Sequence, residues 1–539
     1  MGWLGWLLEA LLICGLVLLA LLSLHLATLT ALRLLLPPRA RPTSLPADTD
    51  LPTVLVQLPL YNEGALVASA LAGITALDWP RERLVIQVLD DSTDGSLAMS
   101  RHAVAGLRLR GWRVSLHHRV HRSGFKAGAL ATGLRVCQAP FVAVFDADFR
   151  PSSDFLRRTL GVLLADPGLG HVQARWLHAN RSASVLTRAQ ARLLDGHFGI
   201  EQAVRHRLGL PVPFNGTCGV WRRAAIDAAG GWSGDTLTED LDLSLRARLA
   251  GWDSAYLEDL GVPGELPASA RAWRAQQFRW TKGFVQCLVK LAPRVWAAPM
   301  AVGHKAFISL QLAQPLSFLV GTLCLAAALP FIAGAVAPSP VLMGVALVTT
   351  SVGLLGPLAL LVAGGRFGQA QPAPLPVLAR EAVLALMLSS GLLLSNARAA
   401  LEALLGIPSA FVRTPKSAAR PVRSGWAARV LSGLPELVAG VGLLVFVLTR
   451  QPLALPPLGL AIGGLLCVGL LLRRSDGAGV PAPAQAAADA TTALDTVGAF
   501  PAEVVSLPAQ AGAPPQEPKP WAAHADPAPA GLLRRDSRR

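Results

Sequence analysis

Phe141-Val142-Ala143-Val144-Phe145-Asp146-Ala147-Asp148 is a short apolar, strand-like run that stops on two carboxylates one residue apart. The same order recurs upstream, where residues 84–89 run into Asp90-Asp91-Ser92-Thr93-Asp94. Carboxylates at the carboxyl ends of parallel strands sit where an open α/β sheet places its ligand crevice. Further strands are expected at 53–58, 114–117 and 171–176, with helical patterns between them. That alternation predicts a doubly wound α/β domain over residues 50–300.

Apolar chain flanks this domain on both sides. Of the 539 residues, 52% are hydrophobic and the mean hydropathy is +0.45, too apolar for an ordinary soluble protein and consistent with several membrane spans. The run 3–36 carries Arg33, Arg39 and Arg41 after its apolar core, the reverse of a signal peptide. It reads as an uncleaved first span (1–37) with its N-terminus outside and the following domain in the cytosol. Beyond Lys305, spans are expected at 307–333 and 341–363, within 305–365, and at 430–448 and 453–472, within 428–474. The segment 382–395 is short for a span and is flanked by Arg380, Glu381 and Arg398. It reads as a helix at the cytosolic surface, inside a stretch (377–426) whose charges belong inside, which gives five spans. Residues 475–539 are rich in Ala and Pro and read as a disordered tail.

The 49 Lys and Arg against 34 Asp and Glu fit cytosolic loops and anionic headgroups. No basic stripe with interleaved aromatics accompanies them, which argues against nucleic acid. Six scattered cysteines with no CxxC spacing imply neither a disulfide framework nor a zinc site.

Four signatures and a lysine between the first and second spans carry chemistry. Asp146 and Asp148 are candidates to hold Mg²⁺ or Mn²⁺ against a diphosphate, or form an acidic turn after a strand. Asn62 and Glu63, with Asp90 and Asp91, close strands where a base and ribose would bind, or make Asx-type turns and caps. Lys126 lies after a basic stretch (His117, His118, Arg119, His121, Arg122) suited to pyrophosphate or simply solvated. Thr238-Glu239-Asp240 opens a helical run, so Asp240 is either a general base or a first-turn acid on a helix dipole. Gln276, Arg279 and Trp280 share one amphipathic segment, placed for a sugar and a phosphate or for interfacial anchoring.

In chain order, the signatures resemble the D, DxD, TED, QxxRW pattern of the processive family 2 glycosyltransferases of the cellulose synthase superfamily. Val172-Gln173-Ala174-Arg175-Trp176, Phe214-Asn215-Gly216-Thr217-Cys218-Gly219-Val220-Trp221 and Thr238-Glu239-Asp240-Leu241-Asp242-Leu243 are similar to the cellulose-synthase-like mannan, glucomannan and glucan synthases. The resemblance implies a cytosolic GT-A (Rossmann-like) domain joined to an α-helical transmembrane domain. It implies that Asn62, Glu63, Asp90 and Asp91 contact the nucleotide, that Lys126 faces the diphosphate, and that Asp146 and Asp148 face nucleotide and metal. Asp240, beside Glu239, would be the catalytic base. Gln276, Arg279 and Trp280 would frame acceptor and diphosphate, and Phe214, Asn215, Gly216 and Thr217 would line the acceptor path. Phe411, Thr414 and Lys416 resemble a gating loop, FxVTxKG, with Arg413 for the Val and Ser417 for the Gly.

The activity so implied is inverting transfer from a nucleotide-sugar, GDP-mannose or UDP- or GDP-glucose, to a growing β-linked polysaccharide. The product would be passed across a membrane, the cell inner membrane being the expected site. Two other readings share parts of this equipment: a non-processive transferase that puts one sugar on a membrane lipid, and a transporter or receptor whose domain only binds nucleotide. No PilZ-like module is expected after the last span, and the Asn215-Gly216-Thr217 sequon lies on the cytosolic side of this topology.

Overall fold

The computed structural model describes residues 2–367, 373–409 and 433–474. The segment that resembles a gating loop (Phe411, Thr414, Lys416) and the Ala/Pro-rich tail lie outside the described residues.

Seven strands form one sheet: β1 (Val54–Leu60), β2 (Leu84–Asp90), β3 (Val114–His117), β4 (Phe141–Val144), β5 (Leu169–His178), β6 (Gly219–Arg222) and β7 (Asp253–Gly264). Their order is β3-β2-β1-β4-β6-β5-β7. All five expected strands form. Alternate residues of each central strand feed opposite cores, as period-2 geometry requires. Val54, Val56 and Leu58 enter one core with Phe141 and Ala143, while Leu55, Val142 and Val144 enter the other. The two glutamines in this apolar setting bond to each other and to the adjacent helix. Gln57 Nε2 donates to Gln87 Oε1 at 3.1 Å and to the Leu130 carbonyl at 3.1 Å, and Gln87 Nε2 donates to the Gly133 carbonyl at 3.0 Å. These bonds lock the helix Phe125–Arg135, which carries Lys126, onto the sheet.

The sheet differs from a purely parallel one. β1 to β4 run parallel, but β6 is antiparallel to both β4 and β5. β6 is only four residues long and begins with glycine, so its sequence carries no alternation to read. β7 contains Pro263 and a register shift opposite β5, which hides its strand pattern in the same way. The mixed seven-stranded sheet with helices on both faces is a GT-A fold.

Two of the described helices are long and apolar enough to cross a membrane, Trp3–Leu35 and Pro340–Gly364. They pack along each other. Ser23 Oγ enters the backbone ladder of the second helix, accepting from Gly356 N–H at 3.0 Å and donating to the Val352 carbonyl at 2.5 Å. The run expected as one span at 307–333 is two helices, Val302–Ala313 and Leu316–Ile332, bent by 62°. Pro315 at that break cannot continue the ladder. The 382–395 segment likewise divides between Leu375–Ser390 and Leu393–Leu404, bent by 55°. At its break, Gly391 meets the Gly464 backbone, where an added Cβ would lie 2.2 Å from the Gly464 carbonyl oxygen.

A long helix, Ala270–Ala297, joins the α/β domain to these apolar helices. Ser269 caps it by accepting from Ala272 N–H at 3.2 Å. Lys282, fully buried at its centre, donates to Glu402 at 2.8 Å and to the Ile407 carbonyl at 2.7 Å. Arg274, two turns earlier, pairs with Glu436 at 2.8 Å.

Candidate active site

The carboxyl ends of β1, β2 and β4 open onto one cleft, closed below by the loop around Gly216 and the start of the helix Glu239–Leu249, and on the far side by the Ala270–Ala297 helix. The crossover between β1 and its two parallel neighbours is what gathers the three acidic strand ends together.

Asp91 lines the cleft and is held by both forks of Arg119, at 3.0 Å (Nε to Oδ1) and 2.5 Å (Nη2 to Oδ2). Arg119 also donates to the Ser123 and Phe125 carbonyls, so this pair fixes the turn that launches Lys126. Asp90 has a different place. It is fully buried, its carboxylate accepting from Ser92 N–H and from the Ser100 hydroxyl. Asn62, at φ +54°, accepts from Thr93 N–H at 2.9 Å while its own N–H donates to Ser92 Oγ. Asp90 and Asn62 thus shape the two loops, while Glu63 and Asp91 face the cleft.

Lys126 Nζ reaches across to Asp146 Oδ1 at 2.6 Å and to the Gly216 carbonyl at 3.0 Å. Burial opposes its charge, yet Asp146, Glu239 and Asp240 together hold its pKa above the ordinary lysine value. Asp148 lines the same wall and accepts from Glu265 N–H at 2.9 Å. Among the described residues no three His, Cys, Asp or Glu side chains converge as a ready-made metal cage. Two cleft-facing carboxylates suit instead an ion that completes its shell with substrate phosphate and water, as Mg²⁺ commonly does.

Asp240 sits at the start of the Glu239–Leu249 helix, with Oδ1 accepting from Leu241 N–H at 2.9 Å. Burial and then the neighbouring Glu239 push its pKa up to about 7, against the pull of Lys126. A carboxyl poised near neutrality in a cleft has the properties of a general base. Gly216, at φ +81°, passes directly beneath it. A Cβ there would lie 2.9 Å from Asp240 Oδ2.

Gln276, Arg279 and Trp280 line the opposite wall, one helical turn apart. Of the Phe214-Asn215-Gly216-Thr217 stretch, only Asn215 and Gly216 reach the cleft. Phe214 is buried against His171, Trp221 and Trp232, and buried Thr217 accepts from Asp146 N–H at 2.9 Å. The structure adds Arg122, Thr238, His178 and Glu265 to the lining. Arg122 lies 3.3 Å over the Tyr61 ring, a cation–π contact that makes a flat platform at the cleft edge. Glu265 escaped sequence reading because it follows β7, whose proline and register shift hide the strand, and His178 because β5 runs beyond the expected 171–176. Arg122 was visible only as part of a basic stretch.

Residues 52–283 match the profile of a family described as "Glycosyltransferase like family 2". The chain is 44% identical over 248 residues to glucomannan 4-beta-mannosyltransferase 7 of Arabidopsis thaliana, an alignment covering 45% of each chain. It is 41% identical over 252 residues to glucomannan 4-beta-mannosyltransferase 1 of Cyamopsis tetragonoloba, covering 45% of this chain and 47% of that one. The chain therefore spans about half the length of the curated relatives it matches. Among solved structures, a mannosyltransferase from Pyrobaculum calidifontis in complex with GDP-Man and Mn²⁺ aligns at 22% identity and TM-score 0.49. That alignment covers 73% of this chain and 99% of that one.

Proposed function

This chain carries a domain of glycosyltransferase family 2, and from that premise we propose that it is a membrane-embedded inverting transferase elongating a β-linked mannan or glucomannan. The observation that carries the substrate class is the identity of more than 40% to glucomannan 4-beta-mannosyltransferases over about 250 residues. GDP-mannose is the donor of first choice, with UDP- or GDP-glucose as the other candidates.

Asp240 takes the proton from the acceptor hydroxyl. The acceptor oxygen attacks the anomeric carbon from the face opposite the diphosphate, the bond from that carbon to the diphosphate oxygen breaks, and its electron pair leaves on the nucleoside diphosphate. The configuration inverts in one displacement without a covalent enzyme intermediate. Lys126 and Arg279 meet the charge that develops on the leaving group. Mg²⁺ or Mn²⁺, held by Asp146 and Asp148, would neutralise diphosphate charge when bound. Asp91, Glu63 and Tyr61 hold the nucleoside, and Gln276 and Trp280 hold the acceptor end. The apolar helices beside Ala270–Ala297 are the proposed route of the polymer through the bilayer. In this reading the domain faces the cytosol of a multi-pass inner-membrane protein whose proposed five spans are Trp3–Leu35, Pro340–Gly364 and the bent pair at 302–332, with the helices Leu434–Arg450 and Leu455–Arg474 added from the apolar runs of the sequence.

The test is purified protein in lipid vesicles with Mg²⁺ or Mn²⁺, offered GDP-mannose, UDP-glucose and GDP-glucose separately. Nucleoside diphosphate release and a long product cut by β-mannanase are expected with GDP-mannose. A short product extracted into organic solvent would replace the polymer synthase with a lipid glycosyltransferase. No release with any donor would overturn transferase activity itself.

A further inference from the structure

Behind Asn215 lies a buried hydrogen-bonded chain on a stretch of helix that is neither α nor 3₁₀. Residues His197–Gln202 form a π-helical turn between the helices Val185–Gly196 and Ala203–Leu208. Such turns insert a residue at a cost in regularity and occur often at functional sites. This one puts His197 and Gln202 together against the Asn215 side chain. Gln202 Nε2 lies 2.7 Å from Asn215 Oδ1, and His197 Nε2 lies 3.1 Å from Asn215 Nδ2. His197 Nδ1 in turn lies 3.3 Å from Glu201 Oε2, and Glu201 pairs with Arg205 at 3.2 Å.

The direction of every bond in this chain follows from one fixed point. Gln202 Nε2 also donates to the Pro213 carbonyl at 3.0 Å, and a carbonyl can only accept. The Gln202 amide nitrogen therefore faces Asn215, which must present its oxygen there. Asn215 Nδ2 then faces His197, whose Nε2 must offer a lone pair. The imidazole hydrogen is left on Nδ1, pointing at a carboxylate that accepts it. Burial alone would raise the pKa of Glu201, but the His197 hydrogen bond and Arg205 bring it down to about 2, so that acceptor is a permanent anion. The main-chain N–H of Asn215 is held as well, donating to Gln173 Oε1 at 2.9 Å.

Among the described residues Asn215 has one amide hydrogen left, and the residue lines the cleft beside Gly216 and Asp240. Resting on the transferase reading above, the geometry points to His197 as a positioning residue. With Glu201 and Gln202 it locks the Asn215 carboxamide so that its remaining N–H is a fixed donor to a hydroxyl oxygen of the acceptor sugar. A hydroxyl bound there sits next to the general base. The wall thus selects an acceptor that offers a lone pair at that point, and contributes nothing to the donor nucleotide. A freely rotating amide would offer its oxygen as often as its nitrogen, so locking converts a generic polar contact into a specific one.

The experiment measures initial rates with β-1,4-mannohexaose as acceptor in wild type, His197→Ala, His197→Gln, Asn215→Ala and the double variant His197→Ala/Asn215→Ala. Donor affinity is measured by titration on the same proteins. His197→Ala is expected to raise the acceptor KM roughly ten-fold, about the loss of one hydrogen bond, with donor affinity unchanged within about two-fold. His197→Gln, whose side chain can still accept from Asn215, is expected to recover most of that loss. The double variant is expected to be no worse than Asn215→Ala alone, since His197 acts through Asn215. An unchanged acceptor KM in His197→Ala, or effects that multiply in the double variant, would overturn the positioning role. A matched loss of donor affinity would mark a structural defect and overturn it too. Failure of wild type to use any nucleotide-sugar would instead remove the transferase reading.

Discussion

Asp240 joins a carboxylate's chemistry to a pKa raised to about 7, and the sign of that shift makes a prediction. As the proposed base it must be ionised, so kcat/KM is expected to rise with pH along an acid limb near 7 and level off above it. Lys126 opposes the shift, so Lys126→Met should move the limb to higher pH as well as weaken diphosphate release. Asp240→Asn should lower transfer by at least about 10³-fold while donor binding stays within about two-fold. A limb that persists in residual Asp240→Asn activity would assign the titration elsewhere. At Gly216, a methyl group would meet Asp240 Oδ2 at 2.9 Å and force a left-handed backbone on a residue with a Cβ. Gly216→Ala is expected to cost about 10- to 100-fold in kcat and little in donor KM, measured at saturating acceptor. The sequence distinguished acidic residues near the cleft from the rest of the chain, but it could not tell lining from support. Asp90 and Asp91 are adjacent and chemically identical, and only the strand geometry turns one inward onto Ser100 and the other out.

Strands with alternating or continuous apolar residues and an acidic end were legible, because burial on both faces leaves a compositional mark. β6 and β7 were not, since four residues beginning with glycine and a strand containing proline leave none. The π-helical turn has no periodicity of its own to read. The helix Ala270–Ala297 was legible as amphipathic, but not its anchors. Lys282 is the more telling of these, a fully buried ammonium whose charge is met by Glu402, the Ile407 carbonyl and Ser409. Glu402 also pairs with Arg398 at 2.7 Å, so removing Lys282 leaves the carboxylate one of its two cations, whereas removing both charges of the buried pair is milder. Lys282→Met is expected to lower the unfolding temperature by about 3–5 °C, and Lys282→Met/Glu402→Gln to recover most of the loss, by thermal unfolding in detergent. Equal destabilisation in the two variants would mean that Glu402 is not the partner that matters.

The proposed topology puts the N-terminus outside and residues 38–300 inside. With the native cysteines replaced, a single cysteine at Gly2 should react with an impermeant thiol reagent in intact cells. One at exposed Arg294 should react only after permeabilisation. The reverse pattern would invert the molecule, and with it the proposed route of the polymer. The helix Trp3–Leu35 has 33 residues, about 50 Å of α-helix, against a hydrocarbon core of about 30 Å. At its inner end Arg33 donates to the Gly199 carbonyl at 2.9 Å and pairs with Glu258. Gly199 lies within the turn that carries His197 and Gln202. A helix of that length meets a thinner bilayer by leaning over, and Arg33 passes any lean directly to the backbone beneath the acceptor wall. On the proposed reading, lipid thickness is expected to bear on acceptor binding. Reconstitution in lipids of increasing acyl length should shift the KM for oligosaccharide and leave the KM for donor still, and Arg33→Gln should make both indifferent to the lipid.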